Sequence, residues 1–135
     1  MNKSRKTGRD GSRFMALPHV VLDCPAYLAL SFSARSLLVD VGRQYSGENN
    51  GRLLICDKIL KPRGWNSPAT IHKAKQELLE AGFLVETRKG HRPNKASWFA
   101  VTWQTLDWIP EMDISRAGFI RGAYLKTISD PQKMK

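Results

Sequence analysis

The sequence predicts an α+β protein that is mainly α-helical and carries a short antiparallel sheet of two or three strands. Two stretches, around residues 34–47 and 67–82, repeat their apolar residues at helical spacing. A later stretch changes to short runs of β-branched and aromatic residues on either side of a polar loop. At 135 residues, the chain is long enough for one domain with a single hydrophobic core.

The best-defined element is the helix in GWNSPATIHKAKQELLEAGF, residues 64–83. Asn66 and Ser67 offer side-chain oxygens to the unpaired amides of a first helical turn, and Pro68 sits where a missing N–H costs nothing. Gly64 is expected to be a turn residue with positive φ. One-turn spacing predicts a buried stripe, which consists of Ile71, Ala74, Leu78 and Ala81.

Two helices are predicted before it. Pro25 fits the first turn of a short helix over residues 26–30, and SFS at 31–33 offers a cap for the helix that follows. That second helix should end at Gly47, and its buried stripe consists of Leu37, Leu38, Val41 and Tyr45.

The chain between these helices and the capped helix contains three short elements. ENNG at 48–51 has turn chemistry, and RLLI at 52–55 is long enough for a small strand. A further short helix over residues 56–60 should be stopped by Pro62.

A hairpin is predicted after the capped helix. FLVETR at 83–88 and SWFAVTW at 97–103 are rich in β-branched and aromatic residues, and the loop KGHRPNKA lies between them. These elements define three regions: a basic arm at 1–13 that cannot bury enough surface to fold by itself, a domain at 14–103, and a C-terminal extension at 104–135. Either packing on the domain or an oligomer contact, such as a homodimer, would account for the extension.

Charge is the strongest signal in the composition. The chain has 22 Lys and Arg against 12 Asp and Glu, a net charge of +10, and an isoelectric point near 10.0. Residues 52–95 alone hold ten basic and four acidic side chains. Such a balance favours a polyanionic partner, with nucleic acid the first candidate and an anionic membrane surface the second.

Several classes of site are disfavoured. Cys24 and Cys56 lie 32 positions apart with no CxxC motif and no nearby histidine pair, so the spacing predicts neither a zinc site nor a disulfide framework. No nucleophile motif and no glycine-rich phosphate loop is present, so we expect no enzyme activity and no cofactor. No apolar run approaches the roughly 20 residues of a spanning helix, so we expect a cytoplasmic protein without a membrane partner.

The order helix, helix, small strand, short helix, turn, capped helix, hairpin resembles a winged helix-turn-helix domain over residues 14–103. The segment from Ala16 to Leu53 and the segment RGWNSPATIHKAKQELLEAGFLVETRKG are also similar to small replication- or regulation-associated proteins of bacteriophages and mobile elements. The resemblance implies duplex DNA as a partner, because the capped helix of such a domain enters the major groove.

This resemblance assigns three groups of candidate DNA contacts. The recognition helix would contribute Asn66, Ser67, Thr70, His72, Lys73 and Gln76. The wing would contribute Arg88, Lys89, His91, Arg92 and Lys95, which suit a narrow minor groove. Phosphate contacts would come from the approach to the turn, namely Lys58, Lys61 and Arg63.

Two functions fit these observations. The first is a DNA-binding regulator of transcription or accessory of replication. The second is a protein-binding winged helix that inhibits a host nucleic-acid machine, such as a CRISPR-type defence nuclease.

Overall fold

A computed structural model describes residues 11–126 of the chain. This part confirms the predicted α+β class, with mostly helical elements and one two-stranded antiparallel sheet. The helices are α1 (His19–Asp23), α2 (Pro25–Leu28), α3 (Phe32–Gly42), α4 (Asp57–Leu60), α5 (Pro68–Glu80) and α6 (Ala123–Lys126). Two 3-10 turns cover Lys61–Arg63 and Arg116–Gly118, and the strands are β1 (Leu84–Arg88) and β2 (Trp98–Val101).

Helix α3 begins where the sequence predicts and ends earlier. The Ser31 side chain accepts a hydrogen bond from the Ala34 amide, so the predicted cap is confirmed. The helix ends at Gly42 rather than Gly47, because the next amides, of Gln44 and Tyr45, turn to carbonyls three residues back. This tightening directs the chain toward residues 52–55, where the Gln44 amide group bonds both backbone groups of Leu54 at 2.8 and 2.9 Å.

The short helices also differ in detail from the prediction. Helix α2 starts at Pro25 itself and covers Pro25–Leu28, and α1 was not predicted. Helix α4 ends at Leu60, before Pro62, as predicted, and Pro62 is accommodated at the start of the 3-10 turn Lys61–Arg63, where a missing N–H is tolerated.

The sheet pairs Leu84 with Val101 and Glu86 with Phe99 in antiparallel register. The predicted small strand at 52–55 is reduced to one bridge, in which Leu53 and Phe99 exchange backbone hydrogen bonds of 3.0 and 2.9 Å. Between residues 11 and 126 the sheet therefore has two strands, with residue 53 as a single added rung.

The hydrophobic core lies between α3, α5 and the sheet. The predicted stripes supply much of it: Leu37, Leu38 and Val41 on α3 are fully or almost fully buried, as are Ala74 and Leu78 on α5. Other buried members are Val21, Leu53, Leu60, Phe83, Leu84, Phe99 and Val101. Helix α5 is thereby fixed on one side by α3, which leaves its opposite side on the surface.

The described part of the extension packs against this core. The Tyr124 ring stacks on Phe83 with centroids 5.1 Å apart, and burial raises the pKa of the Tyr124 phenol above its ordinary value. The fully buried Asn50 side chain donates to the carbonyls of Val101 and Thr105 at 3.0 Å. The boundary at residue 104 and the oligomer contact stay predictions. Residues 127–135 of the extension lie outside the described residues.

Within residues 11–126, no helix is long and apolar enough to cross a bilayer.

Candidate nucleic-acid interface

The start of α5 is built as its sequence predicts. The Ser67 hydroxyl oxygen accepts from the Thr70 amide at 3.2 Å and from the Thr70 hydroxyl at 3.0 Å, and Pro68 occupies the first turn. Gly64 has φ +97°, so the predicted positive φ is confirmed. Asn66 is exposed and directly precedes Ser67, which caps the helix in its place.

The outward face of α5 carries three of the predicted contacts. His72, Lys73 and Gln76 are exposed: His72 and Gln76 lie opposite the buried Ala74 and Leu78, and Lys73 lies at the edge of that face, beside the groove toward α3. Helix α5 therefore presents two groups that can donate hydrogen bonds or charge, together with one amide that can both donate and accept. These are the side-chain types that read base edges in a groove.

Thr70 occupies a flank of this face. Because its hydroxyl donates to Ser67, substitution of Thr70 would also disturb the cap. Beside it, an open groove of about 390 Å³ is lined by Thr70, Lys73, Glu77 and the first residues of α3.

Glu77 has a structural task that the sequence does not reveal. Its two carboxylate oxygens accept from the Ser31 amide at 3.0 Å and the Ser31 hydroxyl at 2.7 Å, which joins α5 to the start of α3. These hydrogen bonds, the backbone one first, lower the pKa of the Glu77 carboxyl below 4.5, and the nearby Lys73 charge acts in the same direction.

The turn before α5 is held by a buried carboxylate. Asp40 on α3 is 8% exposed and accepts from Arg63 Nε at 2.8 Å and from Trp65 Nε1 at 2.7 Å. Arg63, a predicted phosphate contact, is thus part of an ion pair, although 45% of its side chain stays exposed. Lys58 and Lys61 are exposed on the elements that lead into this turn.

The basic side chains of the hairpin differ in exposure: Arg88 is packed against the protein, and the others are exposed. Arg88 is half-buried: its guanidinium lies 3.5 Å from the centre of the Trp98 ring and donates to the Ala96 carbonyl. His91 and Lys95 pair through backbone hydrogen bonds of 2.7 and 3.0 Å, which closes the loop at its tip. The side chains of Lys89, His91, Arg92 and Lys95 are exposed there.

Few of these cations are neutralised by the protein. In the described range, the one ion pair within 4.0 Å joins Arg63 to Asp40. The side chains of the other predicted lysine and arginine contacts therefore have no carboxylate oxygen within 4.0 Å there, and no cluster of three metal-binding side chains occurs among those residues. The arrangement can bind anions by charge and hydrogen bonding.

Sequence reasoning missed Asp40. The signal was present, because an acid three residues after Leu37 and directly before Val41 interrupts an apolar stripe, and a buried acid requires partners. The partners of Asp40 could not be predicted, since Arg63 and Trp65 lie more than 20 positions away in the sequence.

Comparison of the chain with protein-family models, curated proteins and solved structures found no match.

Proposed function

We propose that this protein is a winged helix-turn-helix protein that binds duplex DNA, with α5 in the major groove and the hairpin loop at 88–95 as the wing. The order of α3, α4, the 3-10 turn, α5 and the hairpin supports this proposal, as does the packing of α5 on α3. The resemblance of the sequence to phage and mobile-element proteins supports the narrower role of a transcriptional regulator or replication accessory.

The observation that carries the proposal is a set of exposed cations that form no ion pair within 4.0 Å in the described part of the chain. The set consists of Lys58, Lys61, Lys73, Lys89, Arg92 and Lys95. These charges lie on α5, on the approach to its turn and on the hairpin loop, and none of them forms an ion pair within 4.0 Å among residues 11–126, although Lys73 lies near the Glu77 carboxylate. A polyanion gains affinity at such a surface because each neutralised phosphate releases condensed counterions.

Within this proposal the residues divide the work. His72, Lys73 and Gln76 contact base edges, while Asn66, Ser67 and Thr70 lie at the helix end nearest to phosphate. Arg92 and Lys95 enter the neighbouring minor groove with His91 and Lys89. Arg88 holds the loop in shape, and Lys58, Lys61 and Arg63 contact the backbone.

A salt titration tests DNA binding directly. Fluorescence anisotropy with a random-sequence duplex, repeated between about 50 and 200 mM salt, should show affinity that falls steeply as salt rises. Lys73→Ala and Arg92→Ala should each reduce the slope of log affinity against log salt by about 1. Arg121→Ala removes an exposed cation outside the proposed interface and should leave the slope unchanged. No binding of the parent at low salt would refute the proposal.

A second assay separates base reading from backbone attraction. Lys73→Ala and Gln76→Ala should change which duplexes are preferred, at about 1–3 kcal/mol per lost base contact. Gln76 serves better than Thr70 here, because Thr70 also stabilises the cap. Arg92→Ala should weaken all duplexes, or selectively those with a narrow A·T-rich minor groove. Unchanged preferences in both α5 variants would contradict the reading role.

One observation favours the protein-binding alternative. Leu28 and Phe32 are 61% and 81% exposed at the junction of α2 and α3, so two large apolar side chains are close in sequence on the surface. Apolar patches of this kind mark protein contacts when they are extensive. If the protein inhibits a host nucleic-acid machine, Phe32→Ala should weaken its binding to that machine in a pull-down assay. Lys73→Ala and Arg92→Ala should then leave the affinity for duplex DNA unchanged.

A further inference from the structure

We infer that Arg13, Arg43 and Tyr45 form a pocket for a phosphoryl group, separate from the proposed recognition helix and wing. The three residues line a cavity of about 120 Å³, together with Phe14 and Met15. That volume equals about four water molecules at ~30 Å³ each, which is sufficient for a five-atom tetrahedral oxyanion.

The segment that carries Arg13 is fixed by tertiary contacts. Trp103 Nε1 donates to the Ala16 carbonyl at 3.1 Å, across 87 positions of sequence. Gly42 on α3 allows Met15 to approach closely, since a Cβ there would lie 3.0 Å from the Met15 sulfur. Met15 is therefore held against α3, and Ala16 is held by Trp103, just after β2. These two contacts place Arg13 close to the C-terminal end of α3.

The charge of the pocket is uncompensated. Arg13 and Arg43 come from segments 30 positions apart, and among residues 11–126 neither has a carboxylate within 4.0 Å. The lining of the cavity contains no acid. Two guanidinium groups at one cavity repel each other, and a bound dianion removes that repulsion.

The two guanidinium groups at the cavity are positively charged hydrogen-bond donors, so they favour a negatively charged phosphoryl group over a neutral carbonyl group and exclude a cation. Each guanidinium offers several N–H donors in a planar fork that matches phosphate geometry. Within residues 11–126, the Arg13 guanidinium makes one hydrogen bond, a long one of 3.5 Å to the Ser46 carbonyl. The carbonyls of Val39, Val41 and Gly42 at the end of α3 accept from the amides of Arg43, Gln44 and Tyr45, so the partial negative charge at this helix end is compensated in part by backbone donors.

This inference does not rest on duplex binding, because orthophosphate alone can test it. The full chain is titrated with orthophosphate at constant ionic strength, with chloride as the replaced anion, and the arginine Nε–H and backbone amide signals are followed by NMR. Saturable shifts should be confined to Arg13, Arg43 and the amides around Tyr45. Arg43→Gln should weaken orthophosphate binding about tenfold, because hydrogen bonds to charged groups are among the stronger ones.

The control is Arg121→Gln, an exposed arginine outside the pocket, which should bind orthophosphate as the parent does. Arg13→Gln gives a second variant if Arg43→Gln fails to fold. Linear shifts spread over the surface, or parent affinity in both pocket variants, would overturn the inference.

A duplex arm then identifies the source of the phosphoryl group. If it belongs to the DNA backbone, a short duplex should displace orthophosphate, and Arg43→Gln should lower the salt slope of duplex binding by about 1. If it belongs to free phosphate or a small phosphoester, orthophosphate should bind the duplex-loaded protein with the same pocket shifts. Both results support the pocket, and they distinguish its occupants.

Discussion

Removal of the Asp40 carboxylate should loosen the turn that leads into α5. The carboxylate makes two short hydrogen bonds, 2.8 Å to Arg63 Nε and 2.7 Å to Trp65 Nε1. Hydrogen bonds to charged groups contribute about 1.5–3 kcal/mol each when they are desolvated. Because the Arg63 side chain is 45% exposed, water can replace much of the lost hydrogen bond. The contribution of the Arg63 bond therefore lies at the low end of this range.

Two substitutions separate these contributions. In Asp40→Asn, the amide oxygen still accepts from Trp65 while the charge interaction with Arg63 is lost, so the free energy of unfolding should fall by about 1 kcal/mol. Asp40→Ala loses both partners and leaves the half-buried indole N–H without an acceptor, which should cost about 2–3 kcal/mol. Each kcal/mol corresponds to a fall in Tm of roughly 4 °C for a chain of this size.

Urea denaturation followed by circular dichroism measures these losses, and a double-mutant cycle isolates the contact. Asp40→Ala combined with Trp65→Phe should show a coupling energy of about 1–2 kcal/mol. The matched control is Trp108→Phe, because Trp108 Nε1 donates to the Ile114 carbonyl and not to Asp40. A coupling with Trp65 as small as that with Trp108, about 0.5 kcal/mol or less, would refute the proposed geometry.

The remaining predictions concern the ends of helices and of the chain. Ser67→Ala should lower the free energy of unfolding by about 1 kcal/mol in urea melts, because the Thr70 amide loses its cap; parent stability would argue against the cap. Gly64→Val should cost about 1–2 kcal/mol through backbone strain alone, since φ is +97° and an added Cβ would meet nothing within 4 Å beyond its chain neighbours; Gly64→Asn, which tolerates positive φ better, should recover part of the loss. Glu77→Gln should destabilise the protein at neutral pH, and the difference should vanish as the pH falls through 4.5 and the lowered pKa of Glu77, because protonation removes the same charge from the parent. Glu80→Gln, at an exposed acid one turn away, should show no such pH-dependent gap, and identical pH profiles of the two variants would exclude the Ser31 contact as the cause. Deletion of residues 1–13, of which 1–10 lie outside the described range, should weaken binding to every duplex alike and lower the salt slope, with circular dichroism unchanged; loss of folding would show instead that the segment is structural.

Local chemistry determined much of the fold. The Ser67 cap, Pro68 in the first turn, the positive φ of Gly64 and the stripe through Ala74 and Leu78 follow from residues within a few positions of one another. Such features can be predicted because the interacting groups belong to the same turn or helix face. The composition likewise established an excess of positive charge, from which a polyanionic partner stays a prediction.

Tertiary structure decided what each charged side chain is used for. Asp40 bonds Arg63 and Trp65, Glu77 bonds Ser31 across 46 positions, and Arg88 folds over Trp98, whereas Lys73 and Arg92 stay exposed. The sequence alone does not distinguish the paired side chains from the exposed ones. Pairing depends on residues that come close only when the chain folds. The same reason explains why the strand at 52–55 shrinks to one rung and α3 ends at Gly42: both depend on neighbours that are formed only when the chain packs.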